Sequence, residues 1–132
     1  MMQRKLLFIW LVVVLVVAGI IQVDGDNIKS AAQVQSQSLL VSCTCYTYNS
    51  PNNITATGKY VSTKYIAVSR DVEKLFPLHS KIVLTCGVNK IYATVEDRMS
   101  KRWKKRVDIF LTTKKACKKW GVKRNCKLEK MK

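Results

Sequence analysis

Residues 39–132 of this 132-residue chain form a succession of short segments in which apolar and polar positions alternate. Successive side chains of a β-strand point to opposite faces, so alternation over four to eight residues is typical of a strand with one buried face. Turn-forming residues separate segments rich in Val, Ile, Thr and aromatic residues. We therefore predict six strands, over residues 39–48, 63–68, 81–86, 90–97, 106–111 and 122–128.

Two short helices are predicted between these strands. Residues 71–75 can form a single helical turn, which Pro77 stops. Thr112 or Thr113 can cap a second helix, with Gly121 as its C-terminal stop. Six short strands with little helix indicate an all-β fold, either a small barrel or a sandwich.

The N-terminal 25 residues have the composition of a targeting segment. Arg4 and Lys5 precede an uncharged apolar run over residues 6–21, as in a signal peptide or a short membrane anchor. Cleavage before Asp26 and retention as an anchor both remain open at this point. Either outcome exports the rest of the chain.

The exported part consists of a polar spacer, residues 26–38, and one domain, residues 39–132, whose charge is uneven. Residues 98–132 contain fifteen Lys or Arg and two acidic residues, a net charge of +13. Such a field attracts a polyanion, for example nucleic acid, anionic lipid head groups or cell-wall polymers. Export argues against nucleic acid, and a solvated basic face with no ligand is the alternative.

The five cysteines are predicted to form disulfides, with one left over, because export places them in an oxidising compartment. Two of them lie two residues apart on one strand face, which favours bonds to distant cysteines over a bond between the two. A zinc site that combines this pair with a third cysteine and His79 is the alternative, but the irregular spacing disfavours it. The cysteines are Cys43, Cys45, Cys86, Cys117 and Cys126.

Two aspartates, Asp97 and Asp108, lie eleven residues apart across a basic connection. Strand alternation predicts that Asp97 shares the face of Val95 and that Asp108 faces away from Val107. The two carboxylates can then meet only where the strands cross at an angle or enter a groove. An apolar row would raise the pKa of Asp97 towards the range of a general acid, whereas Arg98 and the lysines after it would lower it. Simple pairing of either aspartate with a nearby arginine is the alternative.

Two tryptophans belong to the predicted domain. Trp120 is assigned to the core, at the end of the second helix. Trp103 is flanked by Lys and Arg in a loop, so we expect it to be exposed and able to stack on a sugar ring or a base.

Six short motifs follow one another between residues 42 and 128. They are Thr55-Ala56-Thr57-Gly58, Ile66-Ala67-Val68, Phe76-Pro77-Leu78, Val95-Glu96-Asp97-Arg98, Val107-Asp108-Ile109-Phe110, and Ala116 with Trp120-Gly121. In this order and spacing they resemble the three-aspartate ("3D") domain. That domain is a double-psi β-barrel of the superfamily that includes membrane-bound lytic transglycosylase A, the rare lipoprotein A transglycosylases and, more distantly, the expansins.

The resemblance implies a six-stranded double-psi β-barrel with one or two short helices, and cleavage of peptidoglycan glycan between N-acetylmuramic acid and N-acetylglucosamine without water. In that reaction a carboxylic acid protonates the glycosidic oxygen, and its carboxylate then helps the muramoyl C6 hydroxyl to attack C1. Asp97 and Asp108 match two family aspartates and are the candidate catalytic residues. No metal or cofactor is expected. The candidate substrate contacts are Thr57, Ser69, Arg98, Trp103 and Arg106.

The chain departs from the family pattern near the candidate site. Ser69 stands where the family has its first aspartate, with Asp71 two residues later. His79 replaces a glycine, and Met99 with Ser100 replaces the glycines after the second aspartate. Glycine in such loops allows backbone conformations that other residues avoid. These changes put catalysis in question more than fold.

Two functions therefore stay open: an exported lytic-transglycosylase-like enzyme, and a non-catalytic, expansin-like barrel that binds cell-wall polysaccharide. A secreted basic signalling or antimicrobial protein is a third class. The cysteine spacing does not match that of a chemokine, because Cys86 lies forty-one residues beyond Cys45. The expected partners are peptidoglycan or another anionic wall glycan, and the membrane through residues 6–21 if they are not removed. A monomer is expected.

Overall fold

A computed structural model describes residues 37–49 and 51–132. The predicted targeting segment, residues 1–25, and nearly all of the spacer, residues 26–38, lie outside them. Within the described residues no helix is both long and apolar enough to cross a membrane. The strands are β1 Ser38–Tyr46, β2 Tyr65–Val68, β3 Lys81–Cys86, β4 Asn89–Arg98, β5 Arg106–Phe110 and β6 Lys123–Lys130, and the helices are α1 Arg70–Glu73 and α2 Lys114–Trp120.

All six predicted strands are confirmed, each within two residues at either end. They close into one barrel in the order β1-β5-β2-β4-β3-β6. The β1–β5 and β2–β4 pairs are parallel and the other four pairs are antiparallel. The all-β prediction is therefore confirmed, and closure leaves no strand edge unpaired around the barrel.

The second helix has the predicted ends. The Thr113 hydroxyl accepts a hydrogen bond from the Ala116 N–H at 3.1 Å, which satisfies one of the free donors of the first turn. Gly121 follows with φ of +66°, a conformation that glycine adopts without steric cost. Trp120, the last residue of α2, packs against the core as predicted.

The core fills the barrel with the inward side chains of the alternating strands. Helix α1 and the turn after it add Val72 and Phe76 at one end. Burial of these side chains stabilises the barrel in proportion to the apolar area removed from water. The strand residues of the core are Val41, Cys43, Ile66, Val68, Ile82, Leu84, Cys86, Ala93, Val95, Val107, Ile109, Cys126 and Leu128.

One β-bulge overturns the predicted orientation of Asp97. Ile66 of β2 pairs with Val95 of β4, but the next β2 residue, Ala67, pairs with Asp97. Glu96 is the extra residue of the bulge, and a bulge shifts the alternation of its strand by one position. The prediction that Asp97 shares the face of Val95 is wrong. Asp97 lies on the opposite face, beside Ala67.

Two disulfides fasten the barrel. Cys45–Cys117 joins β1 to α2, and Cys86–Cys126 joins β3 to β6. Cys43 is the cysteine left over, and it is buried. The predicted long-range pairing is confirmed, and since Cys45 and Cys86 are both oxidised, the alternative zinc site does not form. The disulfides indicate an oxidising, exported location.

Candidate functional site

The register of three strands brings the two predicted catalytic aspartates to one face of the barrel. Asp97 of β4 pairs with Ala67 of β2, and Ala67 in turn pairs with Asp108 of β5. Two strand spacings separate the aspartate backbones by roughly 10 Å. Only the small side chain of Ala67 lies between the two carboxylates, so the barrel surface forms a depression there.

An open cavity of about 210 Å³ covers this row. Four of the predicted site residues lie in its wall: Asp97, Asp108, Arg98 and Trp103. The remaining lining residues are Tyr46, Ala67, Met99 and Ser100. The cavity therefore contains two acids, a phenol and an indole, which is a suitable set for a polar ligand with apolar faces.

Asp108 has the properties of an acid that holds its proton to a higher pH than an ordinary aspartate. Its Oδ1 atom is buried, and no hydrogen bond reaches this atom from the described part of the chain. Burial raises the pKa of Asp108 from 3.8 to about 6, against the Thr44 hydroxyl and the charge of Arg106, which lower it. The nearby charge of Asp97 raises it further. A carboxyl group of this kind can both donate and accept a proton near neutral pH.

Asp97 differs because backbone donors hold its carboxylate. Its Oδ1 accepts hydrogen bonds from the N–H of Ala56 at 2.9 Å and from the N–H of Arg98 at 2.8 Å. These bonds fix the carboxylate at the wall of the cavity. They also attach the loop that contains Ala56 to the site.

Tyr46 is a site residue that the sequence analysis missed. Its hydroxyl is buried without a partner among the described residues. Burial, with smaller contributions from the charges of Asp97 and Asp108, raises the pKa of Tyr46 well above its usual value. The phenol therefore stays neutral and keeps a proton to donate to a ligand. The alternation of β1 was the available signal, because it places Thr44 and Tyr46 on one face and Thr44 pairs with Asp108.

The predicted basic and aromatic substrate contacts already interact with other side chains of the protein. The guanidinium of Arg98 binds both carboxylate oxygens of Glu73 at 2.6 Å, which offsets its charge. Trp103 is half-buried rather than exposed. The guanidinium carbon of Arg106 lies 3.9 Å from its ring centroid, and that of Arg102 lies 4.8 Å from it. These cation–π contacts hold the indole in the cavity wall.

Arg106 contacts Trp103 but does not line the cavity, and two further predicted substrate contacts also lie outside the cavity wall. Ser69 is fully buried, and its hydroxyl accepts a hydrogen bond from the Arg106 N–H at 3.1 Å. Thr57 donates to a carboxylate oxygen of Glu96 at 2.6 Å. Both side chains support the strands and loops around the site and do not line it.

Glu96, the bulged residue, is the second feature that the sequence analysis missed. Its side chain is buried, and Lys59 Nζ binds it at 2.8 Å. Thr57 and His79 Nδ1, the latter at 3.1 Å, complete the set of partners. Burial opposes the charge of Glu96, but the hydrogen bonds of these three partners lower its pKa.

The departures from the family pattern have visible consequences. His79 adopts φ of +72°, a left-handed conformation that usually requires glycine, the residue of the pattern that the motifs resemble. Met99 is buried against the cavity, and its N–H donates to the Val68 carbonyl. The loop after β4 is thus closed by a side chain where glycine would leave space.

Similarity to solved structures is found at the level of the fold. Streptomyces papain inhibitor superposes with a TM-score of 0.53 and 14% identity, over 73% of this chain and 96% of the inhibitor. An apo-expansin of Clavibacter michiganensis superposes with a TM-score of 0.55 and 14% identity, over 73% of this chain. A mutant of that expansin in complex with cellohexaose gives a TM-score of 0.53, again at 14% identity and 73% of this chain.

The chain matches about half the length of the expansins, 51% in both structures. No protein-family model matches the sequence, and no curated protein matches it. At this level of identity the likeness shows architecture alone. The chain has the double-psi β-barrel fold, as the motif order predicted.

Proposed function

We propose that this chain is an exported, monomeric protein that binds cell-wall glycan in the cavity and cleaves it by a lytic-transglycosylase-type reaction. The observation that carries the proposal is a pair of unpartnered buried groups in one open cavity, Asp108 Oδ1 and the Tyr46 hydroxyl. Buried polar atoms are almost always hydrogen-bonded in native proteins, so two exceptions in one cavity suggest that a ligand supplies the partners.

Asp108 is the general acid and base of the proposed reaction. At pH values near 6 or below, its proton passes to the glycosidic oxygen while the C1–O bond breaks, and the leaving sugar departs as an alcohol. The carboxylate then accepts the proton of the C6 hydroxyl as that oxygen bonds to C1. The product is a 1,6-anhydro end, and Asp108 is protonated again.

In the proposed reaction, Asp97 stabilises the positive charge that develops on the sugar, and Tyr46 helps to hold the substrate. The Asp97 carboxylate, held by two N–H groups, faces the positive charge that develops at the sugar ring. The Tyr46 hydroxyl donates a hydrogen bond to a sugar oxygen. Peptidoglycan as substrate rests on the motif resemblance, and polysaccharide as ligand class is further supported by the expansin bound to cellohexaose.

Wall binding without cleavage is the second candidate, and the charge distribution favours it. Residues 98–132 have a net charge of +13. In this stretch Glu129 pairs with Lys127, so most of the positive charge is uncompensated. Such a surface binds an anionic wall polymer with an affinity that falls steeply with salt. Both candidate functions include export directed by residues 1–25, which are then removed or retained as an anchor.

Digestion of purified sacculi followed by mass spectrometry tests the proposal. The wild type is compared with Asp108→Asn and with a matched surface control, Glu129→Gln. We expect anhydromuropeptides from the wild type and the control, and none from Asp108→Asn. Absence of product from the wild type between pH 4 and 8 overturns catalysis, and equal product from Asp108→Asn overturns the role of Asp108 as the general acid. Salt-sensitive binding of all three proteins without product then supports the second candidate.

A further inference from the structure

A chain of aromatic side chains leads out of the cavity. Tyr46, in the cavity wall, makes an edge contact with Phe110 at a centroid distance of 5.5 Å. Phe110 makes a second edge contact with Tyr48 at 4.9 Å. Tyr48 in turn lies 6.3 Å from Tyr60, with the ring planes tilted by 40°. The inner rings support the outer ones, and the outer ones are at the surface.

The two outer rings are both exposed to solvent. Tyr48 is 46% exposed and Tyr60 is 59% exposed. Ile54, which forms an isolated β-bridge with Tyr60, is exposed as well. Single exposed apolar residues are common, but a contiguous group beside a cavity indicates a binding surface.

Hydrogen bonds fix the short hairpin of residues 54–60, which contains Tyr60, against strand β4. Thr55 N–H donates to the Lys59 carbonyl at 2.7 Å, which closes the hairpin. It is bonded to the cavity wall through Ala56 N–H, which donates to Asp97, and to the adjoining bulge through Lys59 Nζ, which binds Glu96. A surface that is already ordered loses little conformational entropy when a ligand binds.

We propose that Tyr48 and Tyr60 form an aromatic subsite that binds the pyranose ring of a sugar residue next to the one in the cavity. This inference rests on the proposed glycan function of the same groove. The apolar C–H face of a pyranose packs on an aromatic ring, while the two phenol groups can bond to its hydroxyls. Two rings and Ile54 are far smaller than the roughly 800 Å² per partner of a stable protein interface, which disfavours a protein ligand.

The experiment measures binding of two probes, a hexamer and a dimer of N-acetylglucosamine, by NMR titration. All proteins contain Asp108→Asn, so that no probe is cleaved. Tyr48→Leu and Tyr60→Leu are compared with Tyr92→Leu, a matched control. Tyr92 is 60% exposed on β4 and makes no aromatic ring contact among the described residues. The spectrum of each free protein verifies its fold.

We expect both subsite variants to bind the hexamer about three- to tenfold more weakly, which matches the strength of an aromatic contact. The dimer, which we expect to occupy the cavity without reaching the subsite, should bind unchanged, and Tyr92→Leu should bind both probes like its parent. Hexamer affinity that is equal in all four proteins overturns the subsite and leaves the glycan function intact. If the wild-type protein, titrated in the same way, binds neither probe and does not bind sacculi, the proposed function fails together with the subsite.

Discussion

Glu96 and Asp108 lie on neighbouring parts of the same barrel, yet their carboxyl groups have opposite properties. Glu96 is the more deeply buried of the two, at 1% exposure, and its pKa is lowered. Asp108 is only half-buried, and its pKa is raised to about 6. Removal from water disfavours the charged form of both carboxyl groups, so burial alone does not account for the lowered pKa of Glu96.

Desolvation is the largest contribution to the raised pKa of Asp108, whereas hydrogen-bond partners outweigh desolvation at Glu96. Glu96 has an ammonium group, a hydroxyl and an imidazole around its carboxylate. Asp108 has a buried oxygen that receives no hydrogen bond from any described group, and the Thr44 hydroxyl is the one side chain whose hydrogen bond lowers its pKa. A buried carboxylate with a full set of partners stabilises the fold, whereas one that lacks partners can react with a ligand. The comparison assigns Glu96 to structure and Asp108 to chemistry.

The largest effect is expected on glycan cleavage. Asp108→Asn should lower the rate of product release from sacculi by at least about 100-fold, since general acid–base catalysis typically contributes that much or more. Glu96→Gln should keep most of the activity, provided that the protein is folded at the assay temperature. Initial rates of soluble-fragment release measure both variants. Similar losses in the two variants would break the proposed division of roles.

The same Asp108→Asn change should increase stability at neutral pH. The folded-state pKa of Asp108, about 6, exceeds its ordinary value of 3.8, so the folded protein binds more protons between these pH values. The free energy of unfolding of the wild type therefore falls as pH rises through this range. We expect Asp108→Asn to be more stable by up to about 3 kcal/mol at pH 7, with little difference below pH 4.

Urea unfolding of both proteins at several pH values measures this difference. Glu129→Gln serves as the control for the loss of one negative charge. A stability difference between Asp108→Asn and the wild type that does not change with pH would contradict the raised pKa.

Glu96→Gln should produce a smaller stability change with the opposite sign. Hydrogen bonds to a charged group are worth more than neutral ones, so we expect a loss of about 2 kcal/mol at pH 7. The pKa of Glu96 is lowered from 4.5, and its stabilisation is therefore present above that value and lost as pH falls through the folded-state pKa. The same urea series tests this. If Glu96→Gln is as stable as the wild type at pH 7, Glu96 does not have the proposed structural role.

Lys59→Met should have the smallest effect. Lys59 binds Glu96 at 2.8 Å but is largely exposed, and exposed ion pairs contribute little net stability. Thr57 and His79 still bond to the carboxylate after the change. We expect a smaller loss in urea midpoint than for Glu96→Gln. An equal loss would show that one partner, and not the full set, keeps Glu96 charged.

Much of the fold could be predicted from the sequence because its signals are local. Alternation and turn residues locate six strands, and Thr113 with Gly121 defines the second helix. The orientation of Asp97 could not be predicted in this way. It depends on the bulge at Glu96, which arises from the pairing of β4 with β2 and breaks the period of two.

The candidate site could likewise be predicted only in part from the sequence. The two aspartates were predicted from motifs, and the strand register brings them to one cavity. Tyr46 and Glu96 were missed because the cavity around Tyr46 and the hydrogen-bond partners of Glu96 are formed by residues that are distant in sequence. Ser69 and Thr57 were assigned to the cavity by motif order, yet the structure uses them to support neighbouring backbone and Glu96.

The most direct test of the central claim is a titration of individual carboxyl carbons by ¹³C NMR in the intact protein. Asp108→Asn and Glu96→Gln assign the two signals. We predict a midpoint for Asp108 near pH 6 and a midpoint for Glu96 below 4.5. A midpoint for Asp108 at or below 4, or one for Glu96 above that of Asp108, would contradict the assignment of Asp108 as the proton donor.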